Sequence, residues 1–241
     1  MKRLIILLVL LGSSLLIADE PHNQKNCYRQ YLEHPTYENF KQAIEFYSSE
    51  IEKDTTNQSS RIMLSYLHLN EINRQIDELE NKIETLSNGE KFQFANLLLS
   101  FGEFEKSIKI YEGINEQLPN WSCPWRHKGE AYWNIGILVE AESALLKAIE
   151  TRVEHYDAYV MLAEVQYDMN KKEEALKTLE TGLSYKGKDI EDPEKEVSDL
   201  DVQFFYMTLL EENNRIEDFN NLKEKLQKSA PNAEHWKEFQ H

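Results

Sequence analysis

Cysteine is nearly absent from this 241-residue chain, with only Cys27 and Cys123. Two thiols cannot build a disulfide framework, so the fold must hold together by packing. Long apolar runs are scarce as well. The one extended run, from Leu4 to Ile17, is broken by Gly12, Ser13 and Ser14 and falls short of the roughly 20 residues a membrane-crossing helix needs. Basic charge is also in short supply: 27 Lys and Arg stand against 43 Asp and Glu, a net charge of −16. That balance speaks against binding nucleic acid or anionic lipid, and for a cationic or uncharged partner. Surface solubility alone is the competing explanation of the acidity.

Catalytic motifs are missing too. There is no phosphate-cradling glycine loop, no G-x-S-x-G, no H-E-x-x-H and no C-x-x-C. Histidines at 22, 34, 68, 127, 155, 235 and 241 show no pair at metal-ligand spacing on one helix face. Asp189, Glu191, Asp192 and Glu194 cluster without the ordered alternation and glycine of a calcium loop. The chain is therefore expected to be neither an enzyme nor a metal protein, and no cofactor is implied. A small-ligand sensor is the least favoured reading.

The N-terminus, MKRLIILLVLLGSSLLIADE, places Lys2 and Arg3 before the apolar run and acids after it. This is the layout of a secretory signal, with cleavage expected after Ala18 so that residues 1–18 are removed. Leu16 is a mediocre residue two places before the cut, which keeps an uncleaved anchor as the alternative. Ser13 stands where a lipoprotein signal would carry its cysteine. Export to the periplasm or outside the cell is the expectation, with no stable membrane insertion after cleavage.

What the chain has in abundance is periodicity. Trp125, Lys128, Gly129 and Tyr132 fall at helical spacing before Gly136, and Ala141, Leu145 and Ala148 after it. The pattern recurs 34 residues downstream as Tyr159, Leu162-Ala163, Asn170, Ala175, Leu179 and Gly182, and upstream as Ala95, Leu98, Gly102, Phe104, Ser107, Tyr111 and Pro119. Glycine or asparagine at the break fits a chain that must turn left-handed to leave the first helix. Small residues let two helix backbones approach while large ones fill the space beside them.

A 34-residue helix-turn-helix with these residues in these slots resembles the tetratricopeptide repeat. The resemblance implies an all-α, right-handed superhelical solenoid, with repeats at 22–55, 56–88, 89–121, 122–155, 156–188 and 198–231. An acidic insertion at 187–198 lengthens the Asn170–Asn214 period to 44, and a polar capping helix at 232–241 closes the array. In the second repeat, Ser59–Leu86 is expected to divide near Asn70, with Ile72, Ile76, Leu79 and Ile83 on one stripe. The first repeat is truncated by Pro35. In the last, Phe219 occupies a small-residue slot, so that hairpin must splay or repack. Cys27 and Cys123 sit about three repeats apart in such an array, too far to pair.

In proteins of this family the first helix of each hairpin lines the inner face. Carried onto this chain, that face presents Phe92, Asn96 and Leu99, then Arg126, Glu130 and Trp133, then Val160, Glu164 and Tyr167, and finally Phe204, Thr208 and Glu211. Aromatics beside carboxylates suit a protein or peptide partner, extended or helical, with apolar anchors and a basic flank. Trp133 and Tyr167 could equally be buried between hairpins. Family members that clamp the carboxylate tail of heat-shock chaperones use Lys then Asn on the first groove helix. Here Arg126 is followed by Glu130, and Val160 by Glu164, an acidic lining that would repel such a tail. A partner-binding scaffold, accessory to envelope assembly or secretion, is the expected role, with a regulatory subunit of an envelope enzyme as the alternative.

Overall fold

The computed structural model describes residues 24–188 and 199–239. The expected signal at 1–18 and most of the acidic insertion lie outside them. Among the described residues there are eleven α-helices, two 3-10 turns and no strand, the all-α solenoid class the repeat pattern implies. No helix among them is long and apolar enough to cross a membrane. The chain divides into two compact units, Met1–Ile83 and Glu84–His241.

The first unit holds three helices: α1 (Gln24–Glu33), α2 (Tyr37–Lys53) and α3 (Gln58–Asn81). Pro35 ends α1, and Thr36 caps α2 by accepting from the Asn39 N–H at 3.2 Å. Tyr31, Ala43, Tyr47 and Leu67 are fully or almost fully buried in its core. The break expected near Asn70 does not exist, because α3 runs through it for 24 residues. The reason is local. After Asn70 comes Glu71 rather than a glycine or a second asparagine-led turn, and Glu71 is pinned along its own helix by Arg74 at 2.6 and 2.9 Å and Gln75 at 2.9 Å. Tyr31 adds a hydrogen bond to Glu71 from α1 at 2.8 Å, and the Asn70 amide donates to Tyr28 Oη at 2.9 Å. Side-chain bonds bridge the place where a turn would have to form, so one long helix stands in place of the second hairpin.

The second unit is built from four hairpins: α4 (Asn88–Ser100) with α5 (Phe104–Gln117), α6 (Ser122–Asn134) with α7 (Leu138–Thr151), α8 (Tyr156–Asp168) with α9 (Lys172–Tyr185), and α10 (Asp199–Glu212) with α11 (Ile216–Ser229). All four turns have one construction. Gly102, Gly136, Asn170 and Asn214 take positive φ of 74°, 78°, 61° and 59°. In each turn the next residue's N–H reaches back five places, Glu103 to Leu98 O, Ile137 to Tyr132 O, Lys171 to Gln166 O and Arg215 to Leu210 O, at 2.8–2.9 Å. This is the Schellman arrangement, which satisfies carbonyls that a helix end leaves open. Asparagine tolerates the left-handed region better than other side-chain-bearing residues, which is why it can replace glycine in the last two turns.

Within a hairpin the helices touch at the small residues. A Cβ on Gly129 would lie 2.6 Å from Leu145 Cγ and 3.2 Å from Ala141 O, and one on Gly182 would lie 2.5 Å from Tyr159 Cβ. Ala141, Leu145 and Ala148 are fully buried beside these contacts. The second helix of each hairpin packs on the first helix of the next. A polar pin adds to the packing: Ser122 of α6 donates to Ala148 O of α7 within its own hairpin at 2.9 Å and pairs with His155 Nδ1, just ahead of α8. Burial, with Arg152, Arg126 and His127 adding to it, pushes His155 down to about 2, so it is a neutral member of that pin.

The last hairpin breaks the small-residue rule and repacks. Met207 and Phe219 take the slots filled elsewhere by glycine, alanine or serine, and both are buried. The end unit also differs from the polar helix expected over 232–241. It is a 3-10 turn, Glu234–Phe239, and it is tied down by aromatics. His235 stacks on Phe204 at 4.6 Å, Trp236 meets the same ring edge-on at 4.9 Å, and Phe239 lies 6.0 Å away. Trp236 and Phe239 are core-facing residues in a polar-looking sequence.

Two consequences can be measured. Gly182→Ala should lower the unfolding free energy read from urea melts, by about 1–3 kcal/mol, through the contact with Tyr159. Gly113→Ala, in mid-helix with nothing within 4 Å, should raise it by about 0.5–1 kcal/mol through helix propensity; a loss at both positions would refute the close-approach account. In the first unit, the Arg74 guanidinium, aided by Gln75 and Tyr31, holds the Glu71 carboxyl down to about 2 against the opposing effect of burial. A depressed carboxyl stabilises the fold fully above its unfolded value of 4.5 and loses that contribution as pH falls towards 2. Glu71→Gln should therefore speed amide exchange in α3 markedly at pH 7 and much less near pH 3, and an equal effect at both would exclude the ionised pair as its cause.

Candidate functional site

The first helices α4, α6, α8 and α10 of the second unit carry the residues expected to meet a partner, and the structure sorts them into two groups. One group is core. Val160 is 1% exposed and packs with Tyr156 and Phe204; Phe204 is 3% exposed beneath the C-terminal turn. Leu99 is buried against Ile108 and Ala131. These three are corrected from partner-facing to structural: the last turn covers Phe204, and the apolar side chains Val160 and Leu99 fill the joints between neighbouring hairpins. Phe92 and Asn96 are also used within the array. The Phe92 ring lies 4.8 Å from Trp121 and 5.4 Å from His127, and Asn96 accepts from Tyr111 Oη at 2.6 Å.

The other group stays at the surface in one row along α6 and α8. Arg126 bonds Glu130 at 2.7 Å and approaches Asp157 of α8 at 3.6 Å, with 12% of its side chain exposed. Trp133, partly buried, donates from Nε1 to Asp168 Oδ2 at 2.6 Å. Tyr167 donates to Glu212 Oε1 at 3.1 Å and meets Phe205 edge-on at 5.7 Å; Lys172 holds the other oxygen of Glu212 at 3.0 Å. The two aromatics are thus neither free nor enclosed: their polar tips bind the next hairpin and part of each ring remains open. Glu164, between them in sequence, has no hydrogen bond or ion pair among the described residues. Burial, then Asp168 and Asp201, push its carboxyl up to about 7. Thr208 turns back to its own helix, donating to Phe204 O at 3.2 Å, and Glu211 is exposed.

Three acids in this row, Asp157, Asp168 and Glu212, are not among the residues the repeat slots pick out. A signal for two of them exists. Asp168 follows Trp133 by 35 residues and Glu212 follows Tyr167 by 45, in each case one repeat period plus one. An aromatic in the last inward slot is answered by an acid one place further along the next first helix. Asp157 lies outside the slots that the family pattern supplies. Among the described residues no three His, Cys, Asp or Glu side chains stand together as a metal site; what the row offers is hydrogen-bonding carboxylates and partly open aromatic rings.

Repeated hairpins with a left-handed residue at each turn, small residues at the helix contacts and a row of side chains along the first helices make up an all-α solenoid of helical hairpins. Residues 156–189, α8 and α9, match the family model described as tetratricopeptide repeat. Among solved structures the chain resembles PilW, described as a widely conserved type IV pilus biogenesis factor, with 14% identity, 92% of this chain and 100% of that one covered, and a TM-score of 0.59. It also resembles PilF of Pseudomonas aeruginosa, with 12% identity, 90% and 96% coverage, and a TM-score of 0.57. At such identities the likeness is one of fold. No curated protein matches the chain by sequence.

The bond between Trp133 and Asp168 can be isolated with a double-mutant cycle of Trp133→Phe and Asp168→Ala. A coupling of about 0.5–1 kcal/mol is expected for a partly exposed hydrogen bond to a carboxylate, and a coupling of zero in urea melts would mean that the two side chains do not hold the hairpins together.

Proposed function

We propose that the chain is an exported, non-catalytic tetratricopeptide scaffold that holds a basic, apolar-anchored segment of a partner protein along α6 and α8. The observation that carries this reading is the surface row Arg126, Glu130, Trp133, Glu164 and Tyr167, in which partly open aromatic rings alternate with carboxylates. Aromatic rings give binding area at small entropic cost. The acids along the row, Glu130, Asp157, Glu164 and Asp168, outnumber its one cation, Arg126, and that balance favours a cationic segment and disfavours an acidic one. Export rests on the signal layout of residues 1–18. A role beside an envelope assembly or secretion machine is supported by likeness of fold to a protein described as a pilus biogenesis factor.

Fluorescence anisotropy with two labelled model peptides, one alternating lysine with leucine and one glutamate with leucine, tests the surface directly. The lysine peptide should bind and the glutamate peptide should not. Exchange of both Trp133 and Tyr167 for alanine should weaken capture at least about tenfold, equivalent to 1.4 kcal/mol, while the variant still melts cooperatively. Equal binding of the two peptides, or capture that survives the double exchange, would rule the row out as the partner site.

A further inference from the structure

Helix α7 carries an outer face that the packing of the array does not use. Its buried residues, Ala141, Ala144, Leu145 and Ala148, fall on one side. At about 100° per residue, Val139, Ser143, Leu146 and Glu150 fall on the opposite side, within an arc of about 60°. All four are exposed, Val139 at 65% and Leu146 at 51%. Ile137 and Val153, at 40% and 47%, add aliphatic surface just before and just after the helix.

The other three hairpins show this face to be a departure. Counted from each left-handed turn residue, the slot of Val139 holds Glu105, Glu173 and Glu217, and the slot of Leu146 holds Glu112, Glu180 and Glu224. Several of those glutamates are used within the array. Glu112 accepts from Tyr132 Oη and Glu180 from Tyr206 Oη, both at 3.1 Å, while Glu173 and Glu224 hold lysines of their own helices at 2.8 and 2.6 Å. The slot of Ser143 holds Lys109 and Lys177 in the first and third hairpins, so α7 has also lost the long side chain that would lie across the face. One exposed leucine on a protein surface is ordinary. Aliphatics in two slots that are otherwise glutamate three times over, with a small residue between them, form a seam with a notch for a large side chain.

We propose that the outer face of α7 is a docking seam for an amphipathic helix of a partner protein, one that carries an aliphatic stripe bordered by lysine or arginine. The length fits: 14 residues at 1.5 Å each span about 21 Å, room for about four turns of a partner helix. Charge selects the partner. Glu140, Glu150 and, past the helix end, Glu154 are exposed, and the lysine of this face, Lys147, is paired with Glu150 at 2.8 Å. Arg152 lines a cleft with Pro119 and Trp121. A second copy of this chain would bring the same acids to the contact, since a two-fold contact sets a surface against itself, and would set one net charge of −16 against another. A basic helix offsets those acids while its aliphatic side chains cover Val139 and Leu146. The seam shares no residue with the row along α6 and α8, and neither surface depends on the other.

Fluorescence anisotropy of the full chain with a labelled helical probe of roughly 18 residues, leucine along one face and lysine elsewhere, tests the seam. The probe should bind, and a probe of the same composition with its leucines scattered around the helix should not. Val139→Glu with Leu146→Glu installs the residues that the other three hairpins carry, so the fold should be kept, and capture should weaken at least about tenfold. The sign of that change is diagnostic, because two added acids would strengthen a capture that was only electrostatic. Ser143→Lys, which fills the notch with the side chain of the first and third hairpins, should also weaken capture and takes the place of the double exchange if that variant melts early. Trp133→Ala with Tyr167→Ala should leave capture of this probe unchanged. No binding, or equal binding of the two probes, overturns the proposal. So does capture that survives the exchanges at 139 and 146, or Ser143→Lys in their place. Capture lost with Trp133 and Tyr167 instead would move the probe to the row along α6 and α8. A wild-type dimer in sedimentation equilibrium that the exchanges at 139 and 146 dissociate would make a second copy the occupant, and also overturns it.

Discussion

The architecture of the second unit depends on how closely two helix backbones can approach inside a hairpin. Gly129 against Leu145 and Gly182 against Tyr159 leave no room for a methyl group. That approach sets the angle at which each hairpin presents its first helix, and the left-handed turn residue sets where the second one starts. Repeating both every 34 residues brings residues distant in sequence into one row. Nothing in Arg126, Trp133 or Tyr167 encodes their alignment. It is inherited from small residues on the opposite sides of the same helices.

Where that constraint is written in the sequence, the fold is legible. Gly102, Gly136, Asn170 and Asn214 all carry the turn signal, and all four take positive φ. Where it is absent, the period misleads. Asn70 is an asparagine in about the right place but lacks the small residues that would reward a fold-back, and Tyr31, Arg74 and Gln75 reward a straight helix through Glu71 instead. The C-terminal segment looks polar because three of its residues, Glu234, Lys237 and Glu238, are charged. His235, Trp236 and Phe239 decide its position, since aromatic area outweighs the solvated charges between them.

The site is legible only in part, for a related reason. A slot pattern says which way a side chain leaves its helix, not whether a neighbour will cover it. Val160 and Phe204 leave in the inward direction and are covered, one by the next hairpin and one by the terminal turn. Polar residues keep their place more reliably than apolar ones. Arg126, Glu130 and Glu164 remain within reach of solvent because burying them further would cost more than their neighbours can return. Cross-hairpin partners such as Asp168 and Glu212 are invisible to a search made one repeat at a time, and become visible when each aromatic is paired with the residue one period and one place ahead.

The bond from Tyr167 to Glu212 has the same form as the bond from Trp133 to Asp168, although ten more residues separate its ends. The stretch between Lys188 and Asp199 therefore adds length without shifting the register of α10 and α11. The last hairpin is held on the third by its apolar face, by the hydrogen bonds of Tyr167 to Glu212 and Tyr206 to Glu180, and by the ion pairs Lys172–Glu212 and Arg215–Glu180.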